Sequence, residues 1–258
     1  MSVRELGCGF KIIDEKLILQ YGSERFRKFY AQIDFVSFEI LANDADRTIY
    51  FRDQYNVYVD SYMCPFAVIT DAAPQDFKIV DIENGLTSSN GQSYYFNEKL
   101  SYQFDDLKPL EGLYYRVKDQ VYFSFDKSMR EADLDNFQVF TQLKHANIAK
   151  DKKHVYFRDQ IVEGVDVDSF AFLEDCFTSG YYLEQDHTYY ATDRNFAYYI
   201  DTIAKQVKVI KTKSLDAFHF KVIDKRGYAF DREFRYDFGR RTSLKKLQQM
   251  ATQNNSGK

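Results

Sequence analysis

A short pattern recurs along the chain and limits what it can become: a polar turn, a phenylalanine, one spacer residue, then a second large apolar group. "DFVSFEIL" spans Asp34 to Leu41, "APQDFKIV" Ala73 to Val80, "DLDNFQVF" Asp133 to Phe140, "DVDSFAFL" Asp166 to Leu173 and "SLDAFHFK" Ser214 to Lys221. The apolar pairs are Phe38/Ile40, Phe77/Ile79, Phe137/Val139, Phe170/Phe172 and Phe218/Phe220, separated by Glu39, Lys78, Gln138, Ala171 or His219. Apolar groups two apart around a mostly polar residue have the period of a strand with one buried and one wet face.

A second pattern accompanies the first. "DKKHVYFRD" (Asp151 to Asp159), "DADRTIYFRD" (Asp44 to Asp53), "NGQSYYFNE" (Asn90 to Glu98) and "VKDQVYFSFD" (Val117 to Asp126) each set an aromatic doublet between polar clusters. "EQDHTYYATD" (Glu184 to Asp193), "TDRNFAYYID" (Thr192 to Asp201) and "DKRGYAFDRE" (Asp224 to Glu233) are looser copies. Asn, Asp and Gly suit the turns because they tolerate left-handed backbone or bond their own main chain. The phenylalanine-to-phenylalanine steps are 39, 60, 33 and 48 residues, too uneven for a strict solenoid. The fold class that follows is mainly β: an array of degenerate β-hairpin units with short helical turns. A repeated motif also argues for structure over catalysis, since chemistry needs its motif once.

The composition agrees. The chain has 24 Phe and 21 Tyr but no Trp and only 3 Pro, and aromatic side chains favour pleated surfaces. Net charge is −4, and the one basic cluster, Arg240, Arg241, Lys245 and Lys246, is too small for the concentrated field that nucleic-acid binding requires. Cys8, Cys64 and Cys176 imply no disulfide framework. No apolar run approaches the roughly 20 residues needed to span a bilayer. "MSVRELGCGFKIIDEKLILQ" does not read as a signal peptide, so a reduced cytoplasmic protein is expected.

"FKIIDEKLILQYG" reads as a hairpin turning near Asp14-Glu15, within a weak first unit from about Phe10 to Leu41. "NGLTSSNGQS", Asn84 to Ser93, reads as a surface loop between units. Near the end, Thr242 or Ser243 caps a short amphipathic helix that carries Leu244, Leu247 and Met250 on one face. One domain over residues 1–250 is expected, with a frayed tail at 251–258.

The stretch from Ala149 to Leu173, "DKKHVYF" followed by "EGVDVDSFAFL", resembles a repeat of the DKNYY family, in which an Asp-Lys-Asn-like turn precedes an aromatic pair. Other units match in part, with Arg47 or Gln120 standing where the family prefers other turn residues. The resemblance implies a bacterial protein of a family without an established general activity. Similar repeat proteins lie near polymorphic toxin genes, which implies an immunity role.

The residues with chemical potential read as structural. Asp133/Asp135 and Asp166/Asp168 invite a calcium loop. Position six would be Gln138 or Ala171 and position twelve Lys144 or Phe177, where such a loop needs Gly and a bidentate acid. Asp135 and Asp168 are instead expected to cap the turn before the phenylalanine. His145, His154, His187 and His219 lack zinc-ligand spacing. Cys8, between two glycines, could admit a substrate, but nothing couples it to a base. No catalytic, metal or cofactor site is therefore assigned. In "IYFRD" and "VYFRD" alternation sends Tyr and Phe to opposite faces, leaving some tyrosines for a recognition surface. The expected function is non-catalytic protein binding, in its sharpest form a cytoplasmic immunity protein occluding a toxin. The alternatives are an envelope-associated repeat scaffold and an enzyme whose site is assembled from distant residues.

Overall fold

The aromatic doublets fold as strands of small antiparallel meanders. A computed structural model of the chain describes residues 3–19, 23–45, 47–142, 147–174, 176, 187–224 and 226–248. Among them stand seven sheets, each built from strands consecutive in sequence and bonded in chain order, three in the first sheet and four in the others. Tight turns make such pairing local, and the mainly β array expected from the repeats is what forms. Short 3-10 turns lie at Ser23–Phe29, Phe104–Asp106, Leu134–Asn136 and Leu215–Ala217. A short C-terminal helix occupies 244–248, continuing directly from the strand Arg240–Ser243. Met250 and residues 251–258 lie outside the described residues.

The chain groups into two compact units, one ending at Leu107 and the other starting at Lys108. The first holds three sheets. Its opening sheet pairs Val3–Gly7, Phe10–Ile13 and Lys16–Leu19, with Asp14 and Glu15 in left-handed backbone at the anticipated turn. Its second sheet pairs Glu39–Asp44, Thr48–Arg52, Val57–Ser61 and Ala67–Val68.

Two expectations need correcting. Residues 84–93 are not a loop between units: Leu86–Ser89 and Gln92–Tyr95 are the two inner strands of the third sheet, joined by Asn90-Gly91. Thr87, Ser89 and Ser93 are buried there, and Ser89 Oγ satisfies the Ala73 N–H at 2.9 Å, so polar residues that usually mark a loop are sheet interior. The aromatic doublets, moreover, do not divide into a buried and a wet face. Tyr50 and Phe51 are both 0% exposed, and Tyr156 and Phe157 are both buried. The reason lies in how sheets pack within a unit. Phe51 and Tyr58 meet Phe10, Phe26 and Phe66 on one side, whereas Tyr50, Val57 and Val59 meet Tyr94 and Phe96 on the other. The inner strands are covered on both faces, so Tyr50, Tyr94 and Tyr156 belong to the core and are not exposed.

Candidate functional site

The repeated Asp is a latch. Asp53 is 2% exposed; its Oδ1 accepts the N–H groups of Tyr55 and Asn56 at 2.8 and 2.7 Å, and its Oδ2 the Tyr58 hydroxyl at 2.7 Å. Asp151 does the same with Lys153, His154 and Tyr156 at 2.7, 2.8 and 2.7 Å. Asp193 takes Asn195, Phe196 and Tyr198 at 2.7, 2.7 and 2.6 Å. Asp231 takes Glu233, Phe234 and Tyr236 at 2.8, 2.7 and 2.8 Å. Each carboxylate therefore closes the central hairpin of its sheet and fixes a tyrosine five residues on, on the following strand.

The phenylalanine pattern plugs into the same carboxylate. The N–H groups of Asp34, Asp133 and Asp166 donate to Oδ2 of Asp53, Asp151 and Asp193 at 2.9, 2.9 and 2.8 Å. In the last sheet the Thr212 hydroxyl takes that place on Asp231 at 2.5 Å. The phenylalanine four residues after Asp34, Asp133 and Asp166, and six after Thr212, packs on the latched tyrosine: Phe38–Tyr58, Phe137–Tyr156, Phe170–Tyr198 and Phe218–Tyr236 have ring centroids 5.4 to 5.8 Å apart. Turn and strand patterns are thus one device.

Its electrostatics follow from this geometry. Burial alone would raise the Asp151 carboxyl; the N–H groups of Asp133, Lys153 and His154 and the Tyr156 hydroxyl outweigh it and hold the group below the usual carboxylate range. Asp193 and Asp231 are lowered in the same way, while burial and the facing carboxylate drive Tyr156 and Tyr198 upward.

The sequence reading of this device needs two changes. "DADRTIYFRD" and "DKRGYAFDRE" lie one hairpin too early; the units equivalent to Asp151–Tyr156 are Asp53–Tyr58 and Asp231–Tyr236. The turn before the phenylalanine is held by the first acid of its pair, since Asp166 Oδ1 accepts the Ser169 N–H at 3.1 Å and hydroxyl at 2.7 Å. Among the described residues Asp135 and Asp168 make no capping bond of that kind.

Other singled-out residues are dispersed. His154 shares a hydrogen bond with the Tyr156 hydroxyl at 3.2 Å, and His219 stacks on Phe230; His145 lies outside the described residues. No group of three His, Cys, Asp or Glu could hold a metal among the described residues. Cys64 and Cys176 are buried. Cys8 is exposed in a turn where Gly7, Cys8 and Gly9 all have positive φ, so its flanking glycines serve the turn.

One cavity brings Cys8 and Arg47 together with Arg25 and Asp60, which no motif marked. It measures about 510 Å³ and lies within the first unit. Phe10, Leu19 and Ile49 supply its apolar wall, Cys8 and Tyr62 line it too, and Arg25, Arg47 and Asp60 its charges. Asp60 closes the apolar run Val57-Tyr58-Val59 and is 6% exposed. Arg25 Nη2 donates to its Oδ2 at 2.5 Å, while Oδ1 is buried without a hydrogen-bond partner. Burial pushes its carboxyl up, with Arg25 and the Phe66 N–H opposing. An acid ending a buried strand run was the available signal.

The latch gives structural sense to a family motif, and the family can be stated. A family model described as the DKNYY family matches residues 21–160, more than half of the chain. The chain belongs to the DKNYY family. No curated protein and no solved structure gives a match. The DKNYY match contains the Asp53 and Asp151 latches, and those at Asp193 and Asp231 repeat the same bonds beyond its end.

Proposed function

We propose that the protein is a non-catalytic binding module for another protein, and most specifically a bacterial immunity protein that neutralises a cognate toxin by direct occlusion. The observation that carries the binding reading is where apolar surface is spent. With Tyr50, Tyr94 and Tyr156 in the core, the three most exposed large apolar side chains among the described residues all border the second sheet: Val36 (85%) in the turn leading into it, and Tyr62 (81%) and Tyr55 (68%) in turns between its strands, with Met63 beside Tyr62. Large aromatic and Met side chains displayed at rigid turns are efficient interface anchors. The narrower immunity reading rests on the company that similar repeat proteins keep with toxin genes and on a net charge of −4 that complements a basic partner.

The test is an affinity pull-down from native lysate, repeated with the neighbouring gene co-expressed and read by mass spectrometry. A toxin-like partner recovered one-to-one, inhibited in proportion to added protein and released by Tyr62→Ala or Tyr55→Ala, supports the reading. A partner retained by both variants, or no partner under co-expression, rejects it. A second reading, an enzyme assembled from distant residues, is favoured by one observation: the Arg25–Asp60 pair lines a cavity of ligand size.

A further inference from the structure

An exposed strand edge offers unpaired N–H and C=O groups to any passing chain, and proteins blunt such edges with short strands, bulges or charge. Among the described residues, only two edge strands run five residues without a register shift: Gln206–Ile210 and His219–Ile223. The other edges of the seven sheets are shorter or carry a shift.

Gln206–Ile210 closes the sixth sheet, after Ala171–Phe172, Thr188–Thr192 and Ala197–Asp201. The Asp193 N–H donates to the Phe196 carbonyl and the Thr202 N–H to the His187 carbonyl. Bonded pairs of the second and third strands therefore fall on Phe196, Tyr198, Ile200 and Thr202. Alternation turns the main chain of Ala197, Tyr199 and Asp201 toward Ile210, Lys208 and Gln206. The N–H and C=O groups of Val207 and Val209 point away from the sheet, and among the described residues they bond nothing. These two valines share a face, and Val209 is 46% exposed.

Charge narrows the occupant. The chain carries −4 overall, yet Thr202 to Leu215 contains Lys205, Lys208, Lys211 and Lys213 and no acid. None of the four has an ion-pair partner among the described residues. Lys208 lies 5.7 Å from the Tyr199 ring centroid, while Lys205 and Lys211 are exposed at the two ends of the strand. His219–Ile223 is bordered instead by Phe218 and Asp224. A second copy of the Gln206–Ile210 edge would set lysine against lysine, which disfavours self-pairing. A strand with apolar residues opposite the valines and an acid at each end meets the free main chain, the valines and both lysines together.

We propose that the Gln206–Ile210 edge takes up an extended acidic segment of a partner protein as an antiparallel fifth strand of the sixth sheet, in the pattern acid-x-apolar-x-apolar-x-acid. The edge lies in the second unit and shares no residue with the turns at Tyr55 and Tyr62, so either reading can fail without the other.

The experiment is fluorescence anisotropy of the full chain with a labelled, end-capped peptide, Glu-Thr-Val-Thr-Val-Thr-Glu. Two controls accompany it: the same peptide with Lys for both Glu, and the acidic peptide N-methylated at both valines. The acidic peptide is expected to saturate, with each control at least about tenfold weaker, because one loses the charge match and the other the two main-chain donors. Lys205→Glu combined with Lys211→Glu should reverse the preference and favour the lysine-ended peptide; thermal melts confirm that this variant folds. The proposal is overturned if the acidic peptide does not saturate, or if the N-methylated peptide binds as tightly, which would mean charge attraction without strand addition. It is also overturned if the lysine-ended peptide binds the unaltered chain equally well, or if the double variant keeps the original preference.

Discussion

The third and fifth sheets solve the same problem with different chemistry. In the fifth, the strands Ile148–Lys150 and Val155–Phe157 are joined by a turn that Asp151 holds through two N–H groups, and Tyr156 is anchored to the same carboxylate. In the third, Ser89 stands at the Asp position and Tyr94 at the Tyr position, and the turn is Asn90-Gly91 with φ of 50° and 71°. The turn residues of the latched hairpins have no positive φ among the described residues. A carboxylate can therefore stand in for left-handed backbone: either the side chain holds the turn, or Asn-Gly adopts the twist that a two-residue hairpin prefers. Serine reaches the neighbouring Ala73 N–H but not the tyrosine, whose hydroxyl is buried without a hydrogen-bond partner. The latch thus carries three separable functions, holding the turn, anchoring the tyrosine and receiving the incoming N–H, and in the third sheet Ser89 keeps only the last.

Removing the latch is the most damaging way to break this comparison. Asp151→Ala leaves the N–H groups of Asp133, Lys153 and His154 and the Tyr156 hydroxyl without their acceptor. A loss of about 3–5 kcal/mol is expected by urea denaturation, allowing for partial rescue by water at the turn. Ser89→Ala should cost only about 1 kcal/mol, since it removes one bonded neighbour. Equal losses would show that the carboxylate is not the organising group.

A smaller effect separates the two glycines of the third sheet. Gly85 and Gly91 have nearly the same φ, 70° and 71°, but a Cβ on Gly85 would lie 2.6 Å from the Phe96 ring, whereas one on Gly91 meets nothing within 4 Å. Gly91→Ala should cost about 1 kcal/mol from backbone strain alone, and Gly85→Ala about 2–3 kcal/mol, as ring displacement adds to it. Thermal melts of the two variants compare them directly. The tyrosines give a finer contrast. Tyr156→Phe should cost about 1–2 kcal/mol, because it strips a donor from a buried carboxylate, whereas Tyr94→Phe should be neutral or stabilising, because its hydroxyl bonds nothing.

How far the sequence discloses this arrangement depends on the range of the interaction. The hairpin at Asp14-Glu15, the β class and the DKNYY resemblance are visible because each is written within about one strand and one turn. The register is not, because both inner strands of the second sheet, Thr48–Arg52 and Val57–Ser61, carry buried aromatics and either could be matched to Tyr156. Placing the Asp instead of the doublet settles it: with Ser89 at its position in the third sheet and Val117, at the end of the strand Tyr114–Val117, in the fourth, Asp53, Ser89, Val117, Asp151, Asp193 and Asp231 are 36, 28, 34, 42 and 38 residues apart, far more even than the phenylalanine steps. Burial of the tyrosines on both faces depends on sheets that pack from separate parts of the chain, which no local period records. The cavity is the extreme case, since Arg25 and Asp60 are 35 residues apart and neither lies in a motif.

The smallest expected effect distinguishes the carboxylates by the sign of their pH response. Asp151, Asp193 and Asp231, all in the second unit, lie below the ordinary carboxyl value near 4 when folded. The unfolded chain then binds more protons than the native one between that value and the lowered ones. Their stabilisation is therefore complete above about pH 4 and is lost as the pH falls through the folded values. Asp60, in the first unit, is shifted the other way by burial. Between about pH 4 and its raised folded value the native state holds the extra proton, so acidification through that range stabilises the first unit. Hydrogen exchange followed residue by residue from pH 7 to pH 3, corrected for intrinsic rates, should show protection near Asp60 rising before protection around Tyr156 and Tyr198 falls. Asp60→Asn should remove the rise and leave the fall unchanged. Parallel loss in both units would mean that the buried Arg25–Asp60 pair behaves as one more stabilising carboxylate contact, and the unmet oxygen would no longer distinguish the cavity from the latches.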